Sequence, residues 1–285
     1  MMLRKLRIIL EMIKFEHTIF ALPFAVMSMF LASRGIPQLD KIGWILVAMV
    51  GARSCAMSFN RIVDADIDAI NPRTAKRAIP SGHLKKWETW IFTIISASLL
   101  VFSAFKLNLL AFRLSPVALI VIMLYSYTKR FTSLSHLWLG ISLAISPIGA
   151  WIAVTGQFAV LPLLLGLAVM FWTAGFDIIY ACQDFDFDKR KGLHSIPAKL
   201  GIQVSLWISS GMHILAVFIL IGISVTSELG SIYLIGVGIV VAILVYEHII
   251  VKPDDLSRVN LAFFTLNGMV SLVLMVLSIV DLLIT

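Results

Sequence analysis

The sequence predicts an all-α membrane protein: nine transmembrane helices around a central cavity, in one integral-membrane domain over residues 1–285. Three observations predict it. The chain is 60% hydrophobic and only 14% charged, with a mean hydropathy of +0.98, which leaves a soluble protein of this length too few polar groups to cover itself. Its apolar residues fall into nine runs close to the roughly 20 residues that cross a bilayer. Its basic residues are segregated to one set of the connections between those runs.

The first run, 15–33, is interrupted early by Pro23 and carries no small-residue cleavage site, so it reads as a retained helix. Runs at 42–60, 88–105, 108–127 and 136–155 follow, then 158–180, 203–225, 230–250 and 260–283. With this count, one side holds all of the 23 Lys and Arg except Arg34, Lys41, Lys106 and Arg113. The positive-inside rule then places the N-terminus in the cytoplasm, the C-terminus outside, and the polar helix ends at the cytoplasmic face of the cytoplasmic (inner) membrane. The net charge of +7 is explained by this topology, so the expected partner is membrane lipid and no nucleic acid. Cys55 and Cys182 lie near cytoplasmic helix ends, where a disulfide is not expected.

Run two ends in "FNRIVDADIDAINPRTAKRAIPSG", from Phe59 to Gly82. Asn60, Asp64 and Asp68 are spaced i, i+4, i+8; on a helix each step turns about 40° off register and rises roughly 6 Å, so all three share a face while Asp66 does not. Oxygen donors on one stripe repel unless a positive group sits between them, and they suit a hard cation such as Mg²⁺, which takes one or two carboxylates plus phosphate oxygens. A solvated helix end is the bland alternative; the stripe, however, continues into the membrane. Run six ends in "DIIYACQDFDFDKRKG", Asp177 to Gly192. Asp184 and Asp188 are i, i+4, Asp177 stands one heptad earlier within about 20° of their face and roughly 10 Å deeper, and Asp186 points elsewhere. A charge at that depth costs roughly 2.5–3.5 kcal/mol on insertion scales, so Asp177 is expected to have a partner.

The two clusters share a layout: carboxylates at a helix end, a basic loop, then Ile79-Pro80 or Ile196-Pro197. This reads as a worn internal repeat of a four-helix unit that brings both acid stripes to one cavity. Arg73 and Arg77 are four apart in the loop after run two, and Lys129 ends run four in a Tyr-x-x-x-Lys spacing from Tyr125. Planar guanidinium forks and a lysine point charge are phosphate-binding groups. Lys85, Lys86, Lys199 and Lys252 read as ordinary positive-inside residues.

These residues resemble a known family. "NRIVDADIDAINPRTAKRAIPSG" is similar to the N-x-x-x-D-x-x-x-D signature of the UbiA superfamily of intramembrane aromatic prenyltransferases, "QDFDFD" at 183–188 to its second D-x-x-x-D, and "YSYTKR" to its Tyr-x-x-x-Lys element. The similarity runs over nearly the whole chain, including "KFEHTIFALPFA" at 14–25. Asp177 in "DIIYA" resembles the branch acting on 4-hydroxybenzoate; Tyr180, rather than asparagine, stands four residues before Asp184, unlike naphthoate-acting branches. The resemblance implies transfer of a polyprenyl chain from polyprenyl diphosphate to an aromatic acid acceptor in quinone biosynthesis. The first choice is 4-hydroxybenzoate, and the alternative is another aromatic acid of menaquinone biosynthesis. It implies Mg²⁺ as cofactor, with Asn60, Asp64, Asp68, Asp177, Asp184 and Asp188 as metal ligands or bases. Arg73, Arg77 and Lys129 would hold the diphosphate, and Tyr125 would belong to the substrate-binding set. Lys14, leading the first run, is the candidate cation for the acceptor carboxylate.

Other residues read as structural. The six histidines show no metal-ligand spacing, His17 reads as a polar helix end, and the 18 Phe and 12 Met read mainly as lipid-facing or packing residues. Arg53, one heptad before Asn60, reads as a buried counter-charge. An ion-coupled secondary transporter would also place carboxylates in membrane helices, but near the midplane rather than at one face. A phospholipid-head-group transferase would need D-G-x-x-A-R ahead of its acidic pair, and "SFNRIVDADIDAINPR" does not match.

Overall fold

The structure, a computed structural model, describes residues 8–9, 11–13, 15–227 and 229–284. A 3₁₀ turn at Phe15–Phe20 leads into α1 (Leu22–Ser33), α2 (Leu39–Val63), the short α3 (Ala65–Ile70), α4 (Lys86–Leu107), α5 (Leu109–Thr128), α6 (Ser135–Thr155) and α7 (Val160–Ala181). The short α8 (Phe185–Lys191) and α9 (Ile196–Leu200) precede α10 (Ile202–Thr226) and α11 (Ser231–Ile250), and a π-helical turn at Leu261–Leu266 opens α12 (Asn267–Ile284). Among the described residues, eight helices are long and apolar enough to span a membrane, and the first apolar helix, Thr18–Ser33, is shorter. Helices dominate because lipid offers the backbone no hydrogen bonds, so each spanning segment must satisfy its own.

Local chemistry fixes the element ends. Pro23 sits in the first turn of α1, where its missing N–H has no helical partner to lose. The Asn108 side chain accepts from the Ala111 N–H (2.9 Å), capping α5 at the sharp corner that ends α4. Gly156 closes α6 with φ at 71°, a backbone state that favours glycine.

The helices form a ring of neighbours. The longest lines of contact run between α2 and α4, α6 and α7, and α7 and α10; α1 packs on α6 and α12. Small residues permit the closest approaches, as expected where lipid supplies no hydrophobic drive between helices. A Cβ on Gly51 would lie 2.9 Å from Leu100 N and Ser96 O of α4, and one on Gly140 of α6 would lie 2.3 Å from Met170 O of α7. The main core joins Phe24 and Met27 of α1 to Trp172 and Phe176 of α7 and to Ile223, Tyr233 and Val270 of the last three helices. Outward-facing Ile94, Val117, Trp207, Phe218 and Val225 are exposed to the lipid side.

Both acidic motifs bend the backbone in the same way. The α2 ladder continues through Asp64, whose N–H bonds to Asn60 O (2.9 Å) and whose carbonyl accepts from Asp68 N (2.7 Å), but Asp64 itself sits at φ −89°, ψ 2°. Asp184, the last residue of the 3₁₀ turn Cys182–Asp184 that follows α7, sits at φ −98°, ψ 7°. Both lie in the sparsely allowed bridge region, where active-site residues are often found. The spacing predicts a straight helix through each stripe; the first is instead offset at Asp64 and the second at Asp184.

Candidate active site

Two adjoining cavities meet between these motifs. The larger, about 1400 Å³, runs among membrane helices and is walled largely by Ala, Leu, Ile and Met side chains of α2, α5 and α6. The smaller, about 160 Å³, lies at the motif ends and is lined by Asn60, Asp64, Asp68, Asp177, Asp184 and Asp188, with Arg73, Arg77, Lys129 and Arg130. Asn60, Arg73, Arg77, Tyr125, Asp177 and Tyr180 line both, so they form the rim between polar and apolar space. The candidate residues on the described part of the chain are thus brought together from α2, α3 and the loop after it, α5, α7, the 3₁₀ turn that follows α7, and α8. Lys14 lies outside the described residues.

Most acids are matched with guanidinium groups. Arg73 grips Asp184 bidentately, Nε to Oδ1 at 2.9 Å and Nη2 to Oδ2 at 2.5 Å, and its Nη1 donates to the Tyr180 hydroxyl at 3.0 Å. Arg77 Nη1 donates to both Asp68 oxygens at 2.7 Å. Asp64 accepts from Asn60 Nδ2 (2.8 Å) and lies 3.6 Å from Arg130 Nη2, which also donates to Val63 O. Burial, followed by the charge of Asp68, pushes the Asp64 carboxyl above the ordinary carboxylate range, against the pull of Arg130, Asn60 and Lys129. Burial works against the Arg73 charge, but the hydrogen bonds and charge of Asp184 outweigh it and hold the guanidinium protonated more firmly than usual. Asp66 and Asp186, off the stripes, are exposed; Asp66 pairs with Lys86 at 3.0 Å.

Among the described residues, no three His, Cys, Asp or Glu side chains converge as a ready metal cluster. The six expected ligands are instead spread around the pocket, and Asp64, Asp68 and Asp184 each face a different arginine. One donor stands ready: Asp188 is buried, and its Oδ2 has no hydrogen-bond partner among the described residues. An anionic oxygen left unpaired in a site rich in carboxylates fits a hard divalent cation.

Three features escape sequence reasoning. His136, wholly buried at the start of α6, meets Asp177 Oδ2 through Nδ1 at 2.6 Å. Sequence spacing could not reveal it, because the pair joins two different helices. Arg61 is buried on the cavity wall and donates to Asn60 Oδ1 at 3.3 Å; its place beside Asn60 in the motif was the available signal. Phe176, Tyr180, Phe263 and Phe264 form an aromatic wall on the larger cavity, with Tyr180 and Phe263 ring centroids 4.1 Å apart. Such faces attract cations, so this wall is chemically suited to a cationic group as well as to apolar packing. The π-helical turn that carries Phe263 and Phe264 is the kind of irregularity often found at functional sites.

Residues 21–269 match the UbiA prenyltransferase family. A 4-hydroxybenzoate octaprenyltransferase of Francisella tularensis subsp. novicida is 29% identical over 253 residues, 88% of each chain. A UbiA homolog from Aeropyrum pernix K1, solved in its apo form, superposes with a TM-score of 0.85 at 36% identity, covering 93% of this chain and 98% of its own. A UbiA homolog from Archaeoglobus fulgidus, solved with DMAPP and Mg²⁺, shares the fold at 20% identity with a TM-score of 0.78, covering 97% of this chain and 99% of its own. The paired aspartate stripes at equivalent helix ends, the arginines facing them and the deep apolar cavity lie within a match that spans most of the chain: this protein belongs to the UbiA prenyltransferase family.

Proposed function

We propose that this chain, acting as one integral-membrane domain, transfers a polyprenyl group from polyprenyl diphosphate to an aromatic acid, 4-hydroxybenzoate first, in quinone biosynthesis. The observation that carries the reading is the junction of the two cavities, a charged pocket for a diphosphate opening onto about 1400 Å³ of apolar space for an isoprenoid tail. Arg73, Arg77 and Lys129 bind the diphosphate oxygens, the arginines by exchanging their present carboxylate partners for phosphate. Asn60, Asp64, Asp68, Asp184 and Asp188 would hold Mg²⁺, and when bound it supplies positive charge that stabilises the departing diphosphate. Tyr125 and the aromatic wall face the allylic end of the donor, and the apolar cavity keeps water from the carbocation. Asp177 is assigned to the acceptor side, since His136 already occupies one of its oxygens. The segregated basic residues support a cytoplasmic-facing site in the inner membrane.

The test is an acceptor panel with purified protein in lipid, measuring pyrophosphate release and prenylated product. The expected result is Mg²⁺-dependent release from polyprenyl diphosphate that requires 4-hydroxybenzoate. Product with no aromatic acid on the panel would overturn the reading.

A further inference from the structure

We propose that Asp177 is the base that receives the proton lost from the acceptor ring, and that His136 is the positioning residue that aims it. The inference rests on the prenyl-transfer reading above. In that reaction a bond forms between the allylic carbon of the donor and a ring carbon of the acceptor. The hydrogen on that ring carbon must then leave as a proton, its bonding pair returning to the ring. Carbocation and ring meet where water is excluded, so a side chain on the apolar cavity has to accept the proton.

The cavity offers few candidates. Among the described residues its only acidic lining groups are Glu11 and Asp177, and Glu11 is exposed. Asp64, Asp68, Asp184 and Asp188 line the polar pocket alone. Both oxygens of Asp184 and of Asp68 are held by arginine, and Asp64 is held by Asn60 and Arg130. In the reading above these four carboxylates would hold Mg²⁺ once the arginines turn to phosphate, and none of them lines the apolar cavity where the ring is attacked.

Asp177 differs on each count. The structure pairs it with a histidine and with no arginine or lysine among the described residues. The backbone N–H of Ile196 approaches His136 Nε2 at 3.4 Å, and a backbone N–H can only donate. Nε2 is therefore the acceptor, and Nδ1 carries the proton that is donated to Asp177 Oδ2 at 2.6 Å. This neutral donor orients the carboxylate without cancelling its charge. Oδ1, which has no hydrogen-bond partner among the described residues, is the oxygen that takes the ring proton. Because Asp177 lines both cavities, the proton passes from it into the polar pocket after the ring has been restored.

The experiment compares 4-hydroxybenzoate with the same acid deuterated at both ring positions beside the hydroxyl, in wild type, Asp177→Asn, His136→Leu and His136→Asn. Asp177→Asn should lower kcat by about 10²-fold, the scale of losing a general base. His136→Leu should lower it about tenfold, as losing an orienting partner does. In both, donor KM should stay within twofold, and a primary deuterium isotope effect absent from wild type should appear, because proton loss becomes limiting. His136→Asn, whose amide can replace the Nδ1–H donor, should regain most of the rate and lose the isotope effect. Thermal midpoints taken on the same preparations identify any variant that fails to fold, and if His136→Leu does, Asp177→Asn and His136→Asn carry the test. Slower turnover with no isotope effect, or with a raised donor KM, would overturn the proposal and return Asp177 to the metal and diphosphate side. An unimpaired His136→Leu beside a damaged Asp177→Asn overturns the positioning role alone. A wild type that releases no pyrophosphate with any aromatic acid would sink the underlying function instead.

Discussion

Asp64 shows how the site trades stability for chemistry. Its carboxyl is raised by burial and by Asp68, so the folded protein favours the neutral form more than the unfolded chain does. Stability is therefore lost as the pH rises from the ordinary carboxylate value through the raised value of the folded state, and the loss is complete above it. Asp64→Asn should leave the thermal midpoint at pH 7 equal to or above that of wild type while abolishing most turnover; a clear drop in midpoint would refute this sign. Asp64→Ala and Asp184→Ala should each reduce turnover by on the order of 10²-fold, the scale of one lost electrostatic stabiliser. Asp66→Ala and Asp186→Ala, exposed and outside the pocket, should cost far less; pyrophosphate release in lipid vesicles checks all four. The distinction between Asp64 and Asp66 was legible in the sequence because helical period alone decides which face a residue takes. The partners were not: Arg73 meets Asp184 across 111 positions and His136 meets Asp177 across 41, and neither pairing leaves a trace in local spacing.

At the level of elements, membrane helices were legible because a bilayer demands length and hydropathy together, and both can be counted. The offsets at Asp64 and Asp184 were not, since they depend on what each aspartate bonds across the pocket. Helix contacts were equally hidden: nothing near Gly140 announces that Met170 will lie against it. Gly140→Val should force α6 from α7 and destabilise the protein by roughly 1–3 kcal/mol, the range for overpacking. Gly238→Val on α11, where an added Cβ meets nothing within 4 Å, is the matched control and should be nearly neutral in a thermal or detergent-denaturation series.

For the whole molecule, the apolar cavity must accept a tail. Ala118 of α5 lines it. Ala118→Phe should raise KM for long polyprenyl donors at least about tenfold, since filling a binding cavity costs a few kcal/mol at most, and leave dimethylallyl diphosphate nearly unaffected; equal losses for both donors would place the tail elsewhere. The arginine–aspartate pairs that span the pocket have a thermodynamic consequence as well. In the proposed reaction, donor binding exchanges Arg73–Asp184 and Arg77–Asp68 for arginine–phosphate contacts, so the measured affinity becomes a difference between two sets of ion pairs. Salt weakens both sides of that exchange, and the affinity for diphosphate should therefore fall with ionic strength less steeply than a count of phosphate contacts would suggest. On that proposal the same competition works in reverse after the reaction: each aspartate recaptures its arginine as pyrophosphate departs, which gives the fold its own means of emptying the pocket for the next turnover.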